Sequence, residues 1–284
     1  MTCFFASDLH GDRSRYAKLF ARIRAERPAA VFLGGDLLPS GFGAVGDLPG
    51  ERFVEELLGG GLAELRRDLG AAYPPVFAIL GNDDPRSYEE DVRRLETRGL
   101  LTYVHDRTVP FGQFAVRGYA IVPPTPFGLK DWELYDVSRF VGAGCVSPEE
   151  GWRSTPVEPH VVRWATIAKD LARIAGDEDQ SRSIWLFHAP PYQTTLDRAA
   201  LDGKMIDYHP LDVHVGSIAV RRFIEARGPA VTLHGHVHES ARITGAWRDR
   251  LGGAEMFGAA HDGPELALVS FDPARPRDAA RRLL

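Results

Sequence analysis

The sequence predicts a single α/β domain, and three observations carry the prediction. Short apolar runs alternate with helix-length amphipathic stretches through the first third of the chain. Five apolar runs each end in a turn that delivers a carboxylate, an amide or an imidazole. No linker, internal repeat or low-complexity segment divides the 284 residues, of which 44% are apolar, enough for one large core.

The elements follow in order. Residues 3–6 are the first apolar run. Residues 14–27 place Tyr16, Phe20 and Ile23 at helical spacing. The second run is 30–33. Phe53, Leu57, Leu58, Leu62, Leu65 and Leu69 mark a second helix, weakened in its middle by Gly59, Gly60 and Gly61. Residues 76–80 are the third run, and 85–98 read as helix. This βαβαβ rhythm predicts a sheet covered by helices. A strand is expected over 116–122, after which Pro123, Pro124 and Pro126 break the pattern. Residues 123–160, rich in aromatics, Gly and Pro, read as a surface insertion within one domain spanning 1–284. A helix over 160–175, a fourth run at 184–187, a polar loop at 190–215, a helix at 217–227 and a fifth run at 230–233 follow. Closing strands are expected around 266–271, and the Arg-rich stretch 275–282 reads as a solvated tail. Gly41, Gly43 and Gly46 match a dinucleotide-binding pattern. Pro49 stands where such a fold continues its helix, so the match reads as turn chemistry.

Composition narrows the function. A net charge of −5 argues against general nucleic-acid binding and against anionic membranes. There is no apolar run of about 18 residues, and the first residues lack the basic region of a secretion signal. Cys3 and Cys145 make no disulfide framework, so a cytoplasmic location is expected.

The chemistry sits just after the apolar runs. The first is followed by Asp8 and His10, the second by Asp36, the third by Asn82, the fourth by His188, and the fifth by His236 and His238. In α/β sheets, ligands bind beyond the carboxyl ends of the strands, so these side chains are placed to converge. Any one alone reads as a turn residue; the recurrence at five strand ends is what points to a site. Two carboxylates, one amide and four imidazoles, with no thiolate, suit manganese, iron or zinc better than magnesium. Seven donors exceed the needs of one ion and fit two ions sharing a carboxylate, an arrangement suited to phosphoryl transfer.

Asp8-Leu9-His10, Gly35-Asp36, Gly81-Asn82, His188 and Gly235-His236-Val237-His238 resemble, in order, the blocks of the calcineurin-like metallophosphoesterases. The resemblance spans 8–238. It implies a four-layer α/β/β/α sandwich with a dimetal site at the strand C-terminal ends. It implies that Asp8, His10 and His238 hold one metal, that Asn82, His188 and His236 hold the other, and that Asp36 bridges them. It makes Asp36, Asn82, Asp83, His188 and His236 the catalytic set, with a metal-bridging hydroxide as nucleophile. Many members carry a histidine just after the Asn, thought to protonate the leaving group; here that residue is Asp83. An ionised carboxylate is a poor general acid near neutral pH. The departure shifts the expected substrate from monoesters toward diesters, as in some prokaryotic phosphodiesterases of the superfamily that also lack the histidine.

The expectation is a dimetal hydrolase, a phosphodiesterase or nucleotide phosphohydrolase acting on a small phosphorylated substrate with Mn2+ favoured over Fe or Zn2+. Arg13 and Arg86 flank ligand turns and suit a phosphate oxygen. Tyr192 is a further substrate-binding candidate, with packing as the plain alternative, and His209, Asp212 and His214 in the loop after His188 suit either a substrate or acid role or a solvated loop. Trp132 and Trp152 stack on a base or simply pack, and His234 reads as support for the ligands. The competing readings are a phosphomonoesterase, a nuclease, and a non-catalytic metal-binding scaffold on the same fold. Homo-oligomerisation is left open.

Overall fold

In the computed structural model, residues 1–39 and 52–284 are described; the glycine motif at 41–46 and Pro49 lie outside them. Two six-stranded sheets face each other. In the first, β1 (Cys3–Ala6), β2 (Ala30–Gly34), β3 (Val76–Ile79) and β4 (Thr102–Tyr103) run parallel, with Cys3 opposite Ala30 and Val31 opposite Val76. On the other side of β1, β13 (Ala267–Phe271) and then β14 (Ala280–Leu283) pair antiparallel. In the second, β6 (Phe114–Tyr119), β7 (Ser183–Phe187), β10 (Val231–His234) and β12 (Ala254–Gly258) are parallel. The antiparallel strands β5 (Thr108–Phe111) and β11 (Arg248–Leu251) close its two edges. Every residue of β1, β2, β3, β7 and β10 is buried. That is why these strands read as unbroken apolar runs rather than alternating ones.

Aromatic side chains fill the space between the sheets. Phe111 meets Phe32 at 6.3 Å and Phe77 at 5.7 Å between ring centroids, and Phe257 meets Phe271 at 5.7 Å. Helices cover the outer faces, giving the expected α/β/β/α layering. Over the first sheet, α1 (Arg13–Glu26) starts at Asp12, whose carboxylate accepts from the Ser14 and Arg15 amides, and buries Tyr16, Leu19, Phe20 and Ile23. The predicted 53–69 helix is a π-helical turn, Phe53–Gly59, running into α2 (Gly60–Leu69). Gly61 is required there, because a Cβ would enter the Phe20 ring. The 85–98 stretch is a 3₁₀ turn followed by α3 (Glu89–Thr97). The 160–175 helix is broken by extended Ala165 and the N-cap Thr166 into α4 (Pro159–Trp164) and α5 (Ile167–Ala175). Over the second sheet α5 packs on α6 (Ile218–Arg227), whose Phe223 meets Trp185 at 4.7 Å. The short α7 (Ser240–Thr244) follows His238.

Segment 123–160 has an exposed part, with Phe127 and Phe140, and a core part, with Lys130, Trp132 and Glu133 fully buried. The Trp132 indole donates to the Asp84 carbonyl at 2.7 Å, so the segment buttresses the turn after β3. The 190–215 loop carries a small hairpin, β8 (Met205–Ile206) with β9 (His209–Pro210). The Arg-rich stretch 275–282 is not a solvated tail: it leads into β14, where Arg281 donates to the Ala260 carbonyl and Arg282 grips both oxygens of Glu26 at 2.9 and 3.0 Å. Strand pairing and an acidic partner on α1 hold what composition alone suggests is loose. Among the described residues, no helix is long and apolar enough to cross a membrane.

Candidate metal centre

The β1–β2 ladder continues past the strand ends into two turns. Asp8 N donates to Gly35 O at 2.9 Å, His10 N to Asp36 O at 2.8 Å and Gly11 N to Leu37 O at 3.0 Å. These bonds set the turns side by side and swing Asp8, His10 and Asp36 into the left-handed region, with φ of 57°, 46° and 50°. An L-residue there costs roughly 1–2 kcal/mol. The turn after β3 is tied to the Asp36 turn by Asp84. Its buried carboxylate accepts from Gly81 N at 2.9 Å, Leu37 N at 3.1 Å and Leu38 N at 2.8 Å. Burial, with Asp36 nearby, still pushes that carboxyl up to about 8. Gly81 has no room for a side chain, since a Cβ would strike the Asp36 carboxylate and lie 2.5 Å from its amide.

The second sheet supplies the rest. His188 follows β7, and its Nδ1 donates to the Gly34 carbonyl at 2.8 Å, which leaves Nε2 facing the site. His188 Nε2 lies 3.0 Å from Asn82 Oδ1 and 3.3 Å from Asp36 Oδ2. After β10, His236 (φ 74°) donates its amide to Asp8 Oδ1 at 2.9 Å and sets its ring 5.3 Å from that of His188. His238 Nε2 is 3.1 Å from Asp8 Oδ1 and 3.1 Å from His10 Nε2. One donor atom each from Asp8, His10, Asp36 and His238 falls within 4.8 Å of the others. Asp8, His10, Asp36 and His238 thus form one cluster, with Asn82 and His188 beside Asp36 and the His236 ring next to that of His188. Asp36 stands between two groups, its Oδ2 3.9 Å from His10 Nε2 on one side and 3.3 Å from His188 Nε2 on the other.

These residues fit divalent cations. Asp8 Oδ2 is buried and has no hydrogen-bond partner, an orphaned acceptor of the kind a cation satisfies. The Nε2 atoms of His10 and His238 face each other beside it, as two ligands of one ion would. The electrostatics agree. Burial alone would raise the Asp8 carboxyl, but the His238 hydrogen bond and neighbouring imidazoles hold it well below the usual range. Asp36 is likewise lowered against burial, chiefly by His188. In return, and also against burial, His188 is raised to about 10 by Asp36, and His238 to about 9 by Asp8. His236, buried beside His188, is pushed down to about 4. The carboxylates therefore attract positive charge.

Asp83 lies at the edge of the centre. Its amide donates to Asp36 Oδ1 at 2.9 Å, and its Oδ2 is 3.7 Å from His10 Nδ1. Burial, then Asp36, raises its carboxyl. Arg13 is exposed at the start of α1. Arg86 pairs with Glu89 at 3.1 Å and lies over the Trp132 ring, lining a cavity with His105, Asp131 and Arg153 beside the β3 turn. Trp132 is core, whereas Trp152 is exposed. His234 uses both nitrogens on Ala189 O and Thr232 Oγ1 and stacks on Phe187, a packed role. Tyr192 donates to Asp212 at 2.6 Å, and His214 Nδ1 is 2.8 Å from Asp197 Oδ1. Asp197 escaped sequence reasoning because it lies 17 residues from His214 with no motif joining them.

Fold and centre together define a class: an α/β/β/α sandwich with a nitrogen–oxygen metal cluster at the strand ends. The chain belongs to the calcineurin-like phosphoesterase family, whose sequence model matches residues 1–240. No curated protein matches the sequence. Among solved structures, TT1561 of Thermus thermophilus is similar with 16% identity and a TM-score of 0.56, over 99% of this chain and 98% of that one. A dimetal phosphatase from Danio rerio is similar with 13% identity and a TM-score of 0.52, over 95% of this chain and 91% of that one. At these identities the likeness is one of fold.

Proposed function

We propose that the protein is a dimetal-dependent phosphodiesterase or nucleotide phosphohydrolase acting on a small phosphorylated substrate. The observation that carries the reading is Asp36, a buried carboxylate held between His10 on one side and His188 on the other. Asp8, His10 and His238 would hold one ion, Asn82, His188 and His236 the other, and Asp36 both. Two divalent ions, drawn from manganese, iron or zinc and with Mn2+ the first to be tried, would supply Lewis-acid charge and an acidified water. The similarity to a dimetal phosphatase is in keeping with two ions.

The chain's own residues do the rest. The Gly34 carbonyl fixes the His188 tautomer so that Nε2 faces Asp36 and Asn82. Asp84 fixes the spacing of the Asp36 and Asn82 turns. Asp83 adds negative charge where many relatives have a histidine, which disfavours the dianionic phosphoryl group of a monoester more than the monoanionic group of a diester.

The test compares bis(p-nitrophenyl) phosphate with p-nitrophenyl phosphate, using metal-stripped protein reloaded with manganese, zinc or magnesium. Diester turnover that is lost in Asp36→Asn supports the reading. A monoester preference overturns the substrate assignment. Inactivity with every metal overturns the enzyme and favours the scaffold.

A further inference from the structure

We infer that the cavity beside the turn after β3 is a binding site for a small organic carboxylate with an apolar body. Arg86 and Arg153 take the carboxylate, and the apolar wall takes the body. None of the seven metal-ligand candidates lines the cavity, so its occupancy is independent of the reaction assigned to the metal centre.

The cavity has a volume of about 200 Å³. At about 30 Å³ per water, that is room for several waters or for a molecule of about ten non-hydrogen atoms. Its apolar wall is Ile121, just past β6, with Leu134, Val157 and, along α4 and its end, Val161, Val162 and Ala165. An apolar wall with a few fixed polar groups is the usual make-up of a small-molecule site.

The polar groups are fixed, and several of their donors are unused. Asp131 ties down the backbone beside both arginines. Its Oδ2 accepts from Arg86 N at 2.8 Å, and its Oδ1 accepts from Ser154 N, next to Arg153, at 2.9 Å. The Ser154 hydroxyl donates to the same carboxylate. The Arg86 guanidinium lies 4.9 Å from the centre of the Trp132 ring and gives only Nε to Glu89, at 3.1 Å. Its two terminal nitrogens donate to no acceptor among the described residues. Arg153 is half-buried and donates to the carbonyls of Lys130 and, at 3.2 Å, Pro148. Among the described residues it pairs with no carboxylate. Burial lowers its guanidinium even with Asp131 and Glu133 nearby, so this cation is short of counter-charge.

His105 adds a neutral donor. Its Nδ1 accepts from Ala120 N at 3.0 Å, so Nε2 carries the proton, and no acceptor among the described residues takes it. Burial pushes the imidazole down to about 4, which keeps it uncharged near neutral pH. The remaining charged groups of the wall pair among themselves. Arg173 meets Asp106 at 2.9 and 3.0 Å and Asp170 at 3.5 Å, and Asp170 accepts from the Tyr119 hydroxyl at 3.0 Å. With Asp106, Asp131 and Asp170 on the wall, a dianionic phosphate ester is disfavoured relative to a monoanion. A carboxylate also matches the planar fork of a guanidinium.

The test titrates phenylacetate and hexanoate into the zinc-loaded full chain by calorimetry, with phenylacetamide as the uncharged control. A chelator-treated sample is run beside it, and amide shifts are mapped by NMR. Saturable binding with a Kd below about 1 mM is expected for the acids. The amide should bind at least about tenfold more weakly, and Arg86→Met and Arg153→Met should each weaken acid binding about tenfold or more. Because Arg153 also braces two carbonyls, Ala165→Phe supplies a variant that keeps every charge. Ala165 has extended backbone, φ −73° and ψ 142°, which Phe adopts readily, and the ring would fill the cavity. That variant should lose binding with its fold intact by circular dichroism. Shifts should centre on Arg86, His105 and Arg153, and chelation should leave the affinity unchanged. No saturable binding of either acid, equal binding of the amide, or full binding by Ala165→Phe would each overturn the proposal. So would affinity lost on chelation with shifts centred on His188 and His236, which would place the acid on the metals.

Discussion

The two sheets contribute unlike chemistry to one centre. The first sheet brings three oxygen donors, Asp8, Asp36 and Asn82, and the single imidazole His10, on turns tied together by backbone bonds and by Asp84. The second brings only imidazoles, His188, His236 and His238. Each proposed ion takes donors from both. The difference teaches that neither sheet alone makes a site: one edge is anionic, the other basic, and the centre exists where they are pressed together.

The largest expected effect comes from removing the group that serves both sides. Asp36→Asn should lower phosphodiester turnover by more than about 10³-fold, the equivalent of several kcal/mol of transition-state stabilisation. Elemental analysis of the purified variant should show metal loss with the fold intact by circular dichroism. An active variant would break the picture of a shared carboxylate.

Next is the seam itself. A Cβ on Gly235 would lie 2.5 Å from Asp8 Oδ2 and collide with Ser7. Gly235→Ala should destabilise by about 1–3 kcal/mol, as overpacking does. Urea unfolding checks this, and metal content should fall in parallel. Metal binding should act in the opposite direction. An ion at a hundred times its Kd adds about 2.7 kcal/mol, so calorimetry with and without chelator should show a clear rise in Tm on loading.

The pH response should differ between the two states. In metal-free protein, His188 and His238 are raised to about 10 and about 9. Their pairs with Asp36 and Asp8 stabilise fully below the unfolded imidazole value, about 6.5, and that stability is lost as pH rises through the folded values. The buried His234 and His236 work the other way. Both are pushed down to about 4, so their contribution is lost as pH falls from neutral toward that value. Because bound metal requires neutral imidazoles, binding should release protons and the apparent affinity should rise with pH. Titration calorimetry in buffers of different ionisation enthalpy reads this directly, and binding without proton release would break the comparison. The smallest effect is expected away from the seam. Arg282→Ala, which removes the exposed grip on Glu26, should cost less than about 1 kcal/mol and leave metal content unchanged.

The donor set is legible in the sequence because each donor follows a buried parallel strand. Such strands leave an uninterrupted apolar signature, and their C-terminal ends share one rim. The order of the blocks then identifies the family. Paired long-range contacts leave no such trace. Asp197 and His214 meet only because the 190–215 loop folds back on itself, and the role of Trp132 behind Asp84 depends on a packing that Pro-rich composition hides. The Arg-rich end misleads for a related reason. Charge on an edge strand looks like a tail until its pairing partner, Ala267–Phe271, is known.

Asp8, His10, Asp36 and His236 all occupy left-handed backbone conformations although none is glycine. Screening for heat resistance alone would therefore favour glycine at these positions, relaxing the turns while deleting the donors. An engineering campaign on this scaffold must score turnover in every round, since its thermostable winners would otherwise be well-folded proteins unable to hold metal.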